Sequence, residues 1–218
     1  MDRMLRGMGM DYEFIREGDL DALDVQLMGR FFKDGETLRP TARHSCATKH
    51  FLTCEYIVKN DLEGALVLED DIVLHSNFKS VCEQSLHELR RDYKDRPAII
   101  SFEDSSLRFV PRSQRRRGQL LYPATKGRMA GCYWMSRRCA EVILQDLATN
   151  KCSATDADTY HYELLQRGLI DYLWCQPTIA TQGTFSGAFR SSLTNDGYFV
   201  RLRWLFKKNY KKLLYWFR

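Results

Sequence analysis

The feature that most constrains the fold is a short apolar run, Gly64–Leu68, which is followed at once by three acids, Glu69, Asp70 and Asp71. An all-apolar run between chain-breaking residues is typical of a strand buried on both faces, as in a parallel sheet. Ligands of open α/β sheets bind beyond the carboxyl ends of the strands. The acidic triplet is therefore where a functional site is expected.

Similar patterns along the chain set the fold class. Further strands are predicted at 11–15, 98–102, 130–135 and 170–174, and helices at 1–7, 20–32, 41–59, 77–91, 137–147 and 156–165. Strands that alternate with helices predict an α/β domain with a largely parallel sheet. With 218 residues, 44% of them hydrophobic and 28% charged, the chain can bury a sizeable core. This composition excludes collagen-like, disordered and coiled-coil classes, and neither a membrane-spanning helix nor a secretory signal is expected.

The acidic triplet has two interpretations. Three adjacent carboxylates repel one another, and a divalent cation is the simplest way to tolerate them; oxygen ligands suit Mg²⁺ or Mn²⁺, which commonly bind substrate phosphates as well. A solvated turn whose acids cap the next helix is the alternative, and the pattern alone favours neither. Glu103 and Asp104 repeat the arrangement after strand 98–102, and there an ordinary turn is the preferred interpretation.

Other candidate residues are less specific. Asp156 and Asp158 stand at the start of a predicted helix, where capping and a general base would both place acids. A lone helical histidine such as His50 is more often a core or surface residue than a ligand. The seven cysteines are scattered, without Cys-x-x-Cys, and the other histidines lack ligand spacing. Reduced, mostly buried thiols of a cytosolic protein are predicted, rather than disulfides or a zinc site.

Two segments are basic in different ways. Residues 112–128 are predicted to form a mobile loop. Residues 198–218 hold seven basic residues and no acid, so the net charge of +5 comes from this tail, while residues 1–197 carry a net charge of −2. An apolar helical face is formed by Phe206, Tyr210, Leu213, Leu214 and Phe217. Such a basic amphipathic helix is suited to an anionic membrane surface, with packing on the domain as the alternative.

Segments 45–50 (Ser-Cys-Ala-Thr-Lys-His) and 65–72 (Ala-Leu-Val-Leu-Glu-Asp-Asp-Ile) together resemble glycosyltransferase family 25, the lipooligosaccharide-biosynthesis transferases of bacteria. Family members show a Gly-Cys-x-x-Ser-His element before an apolar strand that ends in Glu-Asp-Asp. Cys46 and His50 match this element, whereas Lys49 replaces the usual serine. The similarity spans roughly residues 2–193, and it is weaker outside these two segments. Residues 131–140 resemble a strand-helix segment of the family, and residues 177–182 with Ser186 resemble its late Pro-x-x-x-x-Gln…Ser motif. Asp156 or Asp158 resembles the aspartate of its Pro-x-Asp element, although the proline is absent.

The resemblance implies a GT-A type, Rossmann-like domain at 1–197, with the basic amphipathic tail at 198–218. It implies an inverting hexosyltransferase that moves galactose or glucose from a UDP-sugar to a lipopolysaccharide or lipooligosaccharide acceptor, assisted by Mn²⁺ or Mg²⁺. The expected partners are the nucleotide-sugar donor, a lipid-linked oligosaccharide acceptor and an anionic membrane, without nucleic acid. The expected location is cytoplasmic and peripheral at the inner membrane.

The resemblance also implies roles for particular residues. Glu69, Asp70 and Asp71 would form the cluster for the cation and diphosphate, with Asp71 and then Glu69 as direct metal ligands. His50 and Gln182 are assigned to the nucleotide-sugar site. The general base or acceptor-binding group is expected to be Asp158, and after it Asp156. Basic residues of 112–128 would hold a diphosphate or a phosphorylated sugar, or else serve solubility alone.

One departure from the family concerns the N-terminus. Family members begin with an apolar strand, whereas Asp2-Arg3-Met4-Leu5 here resembles the start of the helix that follows that strand. An upstream start codon or a truncated, inactive relative would explain this. The competing function is therefore a catalytically inactive scaffold in envelope-glycan assembly. A nucleic-acid binder is a third alternative, which the lack of net positive charge in 1–197 disfavours.

Overall fold

A computed structural model describes residues 2–154, 156–186 and 198–217. Its helices are α1 (Asp2–Gly7), α2 (Val25–Phe31), α3 (Ala42–Lys59), α4 (Phe78–Asp92), α5 (Arg137–Asn150), α6 (Ala157–Gln166), α7 (Gly183–Ser186) and α8 (Tyr198–Phe217). Its strands are β1 (Gly64–Leu68), β2 (Ile72–Leu74), β3 (Ala98–Ser101), β4 (Leu121–Pro123), β5 (Cys132–Ser136), β6 (Asp171–Cys175) and β7 (Ala180–Gln182). The chain is of the α/β class, as predicted.

The central sheet has five strands in the order β1-β5-β3-β6-β4, and β2 and β7 form a separate two-stranded ribbon. Strands β1, β3 and β6 run in one direction, as the expectation of a largely parallel sheet requires. Strands β5 and β4 run against their neighbours, so β3 and β6 are the parallel pair among the described strands. The sheet is therefore mixed.

Strand β1 differs from its prediction in one respect. It pairs only with β5 among the described residues, which leaves it at the edge of the sheet, and all five of its residues are half-buried. Both faces of β1 are covered as predicted, because Ala65 and Val67 pack against one core cluster and Leu66 and Leu68 against the other, but all five residues are half-buried and not fully buried. The predicted consequence still holds, since the acids follow directly at its carboxyl end.

Helices cover both faces of the sheet. Along β3, Ile99 belongs to a core cluster with α3, α5 and α6, whereas Ala98 and Ile100 belong to a second cluster with α4 and the β2–β7 ribbon. This alternation follows from the two-residue period of a strand. The result is a three-layer arrangement in which α3 and α6 lie on the same side and can both reach the carboxyl end of β1.

Local signals explain where several helices begin. Thr41 caps α3 in a capping box with His44, and Ser136 caps α5 by accepting from the Cys139 N–H. Short strands β2, β4 and β7, three residues each, gave no clear sequence signal. The prediction of a strand at 11–15 was wrong: this segment has no regular secondary structure.

Helix α8 packs on the domain through one face and exposes the other. Trp204 is buried and its indole N–H donates to the Ser105 carbonyl at 3.3 Å. Lys208 forms an ion pair at 2.8 Å with the fully buried Asp104. The predicted apolar face lies largely outside, with exposed fractions of 77% for Phe206 and 79% for Phe217. Exposed positions on this side also include Tyr210 and Leu213, while Leu214 is half-buried.

Candidate active site

Acids lie at the carboxyl ends of β1 and β3 and at the start of α6, and their charges influence one another. Burial raises the pKa of Asp71, of Glu103 and of Asp158, and the charge of Glu69 adds a smaller increase to each. These four residues come from three separate segments of the chain. The acid at the end of β1 therefore acts on acids of two other segments, and a functional site at 69–71 stays a prediction.

Glu69 is held by three side chains. His50 Nε2 and Cys46 Sγ each lie 3.5 Å from Glu69 Oε1, and Gln182 Nε2 donates to Glu69 Oε2 at 2.8 Å. Burial disfavours the charged carboxylate, but the contacts with His50, Gln182 and Cys46 outweigh it and lower the pKa of Glu69. Of the predicted site residues, His50, Glu69 and Gln182 are therefore in direct contact.

His50 is buried between Glu69 and Tyr133. Its Nδ1 lies 2.8 Å from the Tyr133 hydroxyl. Burial alone would lower the pKa of this imidazole, yet contacts with Cys46 and Glu69 raise it to about 10. The sequence favours a core or surface position for a lone helical histidine, and His50 is a core residue that also contacts Glu69 and Tyr133.

Asp71 lies against the short helix α7. Its Oδ2 accepts a hydrogen bond from Thr184 Oγ1 at 2.6 Å, and its backbone carbonyl accepts from the Gly183 N–H at 2.5 Å. Within the described part of the chain, Oδ1 is buried and has no hydrogen-bond partner. Burial, and after it the charges of Glu69 and Asp70, raise the pKa of Asp71. Asp70 itself is exposed to solvent.

The two acids of α6 have different environments. Asp156 is the N-cap, because its Oδ1 accepts from the Thr159 N–H at 2.9 Å. Asp158 stands in the first turn, where burial and then the Asp156 charge raise its pKa to about 6. The sequence could not separate capping from catalysis here, and the structure assigns capping to Asp156.

Asp104 begins a turn, as the sequence favoured, because its carbonyl accepts from the Leu107 N–H at 2.8 Å, but the side chains of Glu103 and Asp104 are not solvated. Both are fully buried. Burial raises the pKa of Glu103 well above its usual range, with smaller contributions from Glu69 and Asp158. Asp104 accepts from Thr181 Oγ1 at 2.7 Å and pairs with Lys208. The turn is therefore present but buried, because the β2–β7 ribbon and α8 cover this end of β3.

The basic segment 112–128 contains a 3₁₀ turn, Arg112–Gln114, and strand β4. Arg128 is buried, donates to the carbonyls of Ser101 and Cys175 at 3.2 Å, and stacks over Trp174. It therefore anchors the segment and is not a free phosphate-binding group, while Arg116 and Arg117 are exposed.

The grouping of Cys46 with His50 and Glu69 was not predicted. Their ligand atoms lie within 4.8 Å of one another, and no other such group of three occurs in the described ranges. The signal that could have found it is Cys-x-x-x-His, because residues four apart share one face of a helix. The predicted triplet of 69–71 is not such a group.

Comparison with known proteins gives one result for this region. A family model described as glycosyltransferase family 25 (LPS biosynthesis protein) matches residues 41–157, which is more than half of the chain. The match begins at the cap of α3 and ends at the first residue of α6, so it contains Cys46, His50 and the acids at 69–71. A search of curated proteins gave no match.

Proposed function

The chain belongs to glycosyltransferase family 25, a family of LPS biosynthesis, and on that premise we propose that it transfers a hexose, galactose or glucose, from a UDP-sugar. The proposed acceptor is a lipid-linked lipopolysaccharide or lipooligosaccharide glycan, and the proposed outcome is inversion at the anomeric carbon. The proposed fold is of the GT-A type. The observation that carries the proposal is the pair of acids at the carboxyl end of β1, where Glu69 contacts His50 and Gln182 and Asp71 contacts Thr184.

The donor set fits a hard divalent cation. Asp71 Oδ1 is a buried oxygen without a partner among the described residues, and an orphaned buried acceptor costs free energy unless something binds it. A Mg²⁺ or Mn²⁺ ion prefers such oxygens and shares its coordination with substrate phosphates. Asp71 would hold the ion, with exposed Asp70 close enough to add charge. Glu69, the second predicted ligand, contacts Cys46 and His50 through Oε1 and Gln182 through Oε2.

When bound, the cation would act as a Lewis acid that stabilises the charge developing on the departing diphosphate. The residues of the chain position and deprotonate the acceptor. Asp158 is the proposed base, because a pKa near 6 leaves its carboxylate ionised at about pH 7 while keeping it basic enough to accept a proton. Asp156 supports it by starting α6 and by raising its pKa.

The proposed partner of α8 is an anionic membrane surface. Exposed Phe206, Tyr210, Leu213 and Phe217 form an apolar stripe, with Lys207 and Lys211 exposed beside it. Apolar side chains flanked by lysines suit the boundary between acyl chains and acidic headgroups. Within the described residues, no helix is both long and apolar enough to span a bilayer. A peripheral location at the inner membrane would bring the site to a lipid-linked acceptor.

The direct test is release of UDP from a panel of UDP-sugars, measured with Mn²⁺, with Mg²⁺ and with chelator. We expect cation-dependent release with UDP-galactose or UDP-glucose, lost in Asp71→Asn. Asp21→Asn is the matched control, because Asp21 is an exposed acid outside the cluster. Calorimetry with the same sugars separates the alternative, since an inactive scaffold would neither bind nor cleave them.

A further inference from the structure

We propose that Cys46, His50 and Glu69 form a zinc site with three protein ligands. The ligand atoms are Cys46 Sγ, His50 Nε2 and Glu69 Oε1, and all lie within 4.8 Å of one another. Binding of zinc here does not depend on the proposed transferase reaction. It also differs from the proposed site at Asp71 in chemistry, because a thiolate and an imidazole favour zinc, whereas carboxylates alone favour magnesium or manganese.

The distances fit a tetrahedral ion. Zinc bonds of about 2.3 Å to sulfur and about 2.0 Å to oxygen place these two ligand atoms about 3.5 Å apart at a tetrahedral angle. The same geometry places nitrogen and oxygen about 3.3 Å apart. The structure has 3.5 Å between Cys46 Sγ and Glu69 Oε1, and 3.5 Å between His50 Nε2 and Glu69 Oε1. Two of the three distances between ligand atoms therefore already match a tetrahedral ion, and the third, between Cys46 Sγ and His50 Nε2, is no longer than 4.8 Å.

The backbone places these ligands on rigid elements. Cys46 and His50 stand four residues apart on α3 and so lie on one face, one turn from each other. Glu69 follows the last residue of β1, and its backbone N–H donates to the Gly131 carbonyl at 2.9 Å. Two ligands on a helix and one at a strand end are fixed before any ion arrives.

A second layer of contacts orients the ligands as in known metal sites, where the other ring nitrogen of a ligating histidine is hydrogen-bonded. His50 Nδ1 lies 2.8 Å from the Tyr133 hydroxyl, which leaves Nε2 to face Glu69. The second oxygen of Glu69 accepts from Gln182 at 2.8 Å. The atoms of His50 and Glu69 that would not bind the ion, Nδ1 and Oε2, thus each have a hydrogen-bond partner.

The site is also accessible. Of the seven cysteines, Cys46 is half-buried and the other six are buried. The side chain of Glu69 is 26% exposed, so the group can be reached from solvent. Three protein ligands leave one position of a tetrahedral ion for water or another small ligand, an arrangement seen in zinc sites that act on bound molecules.

The test uses the full chain, stripped of metal with a chelator and titrated with Co²⁺ and then Zn²⁺. We expect one equivalent of Co²⁺ to give the intense visible bands of a tetrahedral ion and a thiolate-to-cobalt charge-transfer band in the near ultraviolet. One equivalent of Zn²⁺ should remove both. Weak bands of an octahedral ion without charge transfer would overturn the proposal.

Variants identify the ligands. Cys46→Ser and His50→Gln should each weaken zinc binding by at least about 100-fold, since even loss of an outer contact weakens such sites about 10–100-fold. Two controls on α3 should bind zinc like the parent: Cys54→Ala, whose sulfur contacts Met135, and His44→Gln, which preserves the capping box with Thr41. Parent-like binding by both Cys46→Ser and His50→Gln would refute the site.

A measurement on the unaltered chain covers the case in which a variant does not fold. Iodoacetamide should alkylate Cys46 faster than the six buried cysteines, as read by peptide mass spectrometry. Saturating Zn²⁺ should slow alkylation of Cys46 at least about tenfold, because a metal-bound thiolate is a poorer nucleophile. An unchanged rate in zinc would overturn the proposal. No sugar is present, so the result is independent of transferase activity.

Discussion

Replacement of Lys208 by methionine tests how the tail helix is held, because it removes the cation from a nearly dry ion pair. Lys208 Nζ lies 2.8 Å from Asp104 Oδ2; the lysine side chain is 15% exposed and the aspartate is fully buried. Methionine preserves most of the aliphatic stem, while the ammonium, which lies 4.7 Å from the centroid of the Trp204 ring, is lost with its charge. The variant therefore isolates the loss of charge from the loss of packing.

The expected cost follows from this burial. Two unit charges 4 Å apart attract by about 4 kcal/mol at an effective dielectric constant of about 20. Removal of one partner of a buried pair costs about 3–5 kcal/mol, because the other charge stays buried. Thr178 and Thr181 still donate to Asp104, so we expect the lower end, about 3 kcal/mol in the free energy of unfolding.

Urea unfolding of the parent, Lys208→Met, Asp104→Asn and the double variant measures this, by circular dichroism and tryptophan fluorescence. Lys211→Met is the matched control, since Lys211 is exposed on the same helix and should change stability by less than about 0.5 kcal/mol. We expect a coupling of about 2 kcal/mol between the two partners. Coupling below about 0.5 kcal/mol would refute a buried pair that docks α8.

Three further predictions concern the site, the core and the membrane. Asp158→Asn should lower turnover about 10²–10⁴-fold, and turnover of the parent should fall below about pH 6, near the pKa of this carboxyl. Asp146→Ala should cost about 1–3 kcal/mol, because the buried Tyr160 hydroxyl loses its acceptor at 2.7 Å. Hydrogen bonds from Arg167 and Tyr160 outweigh burial and lower the pKa of Asp146. The contribution of Asp146 to the free energy of unfolding is therefore present above about pH 4 and is lost as the pH falls further. A stability difference between the parent and Asp146→Ala that stays constant in urea melts at acid pH would contradict this. Phe206→Asp with Leu213→Asp should abolish co-sedimentation with vesicles of anionic lipid at unchanged stability, since both side chains are exposed.

The α/β class and the acids at the carboxyl end of β1 could be predicted because they depend on local patterns. The apolar run of β1 and its acids needs only neighbouring residues to be recognised, and the N-cap Thr41 lies directly before its helix. The edge position of β1 and the antiparallel direction of β5 depend on pairing between distant segments. The sequence of residues 64–68 alone does not indicate which strand pairs with β1.

The contacts of the site were harder to predict for the same reason. Glu103 and Asp104 follow a strand as acids of an exposed turn would, but α8 and the β2–β7 ribbon bury them. Which of Asp156 and Asp158 caps α6 could not be read from the sequence; it follows from the hydrogen bond at 2.9 Å that the Thr159 N–H donates to Asp156 Oδ1. Cys46 and His50 gain significance only when Glu69, which follows β1, is brought within 3.5 Å of each.

The most direct test of the proposed activity is the rate of UDP release from UDP-galactose and UDP-glucose by the intact chain in Mn²⁺, with and without a glycan acceptor. We expect release that requires the cation and is stimulated by the acceptor. Asp71→Asn should lower it at least about 100-fold, because Asp71 Oδ1, which has no partner among the described residues, is the proposed ligand. Activity in Asp71→Asn equal to that of the parent would contradict the assignment. So would the absence of both binding and release with every donor in the panel.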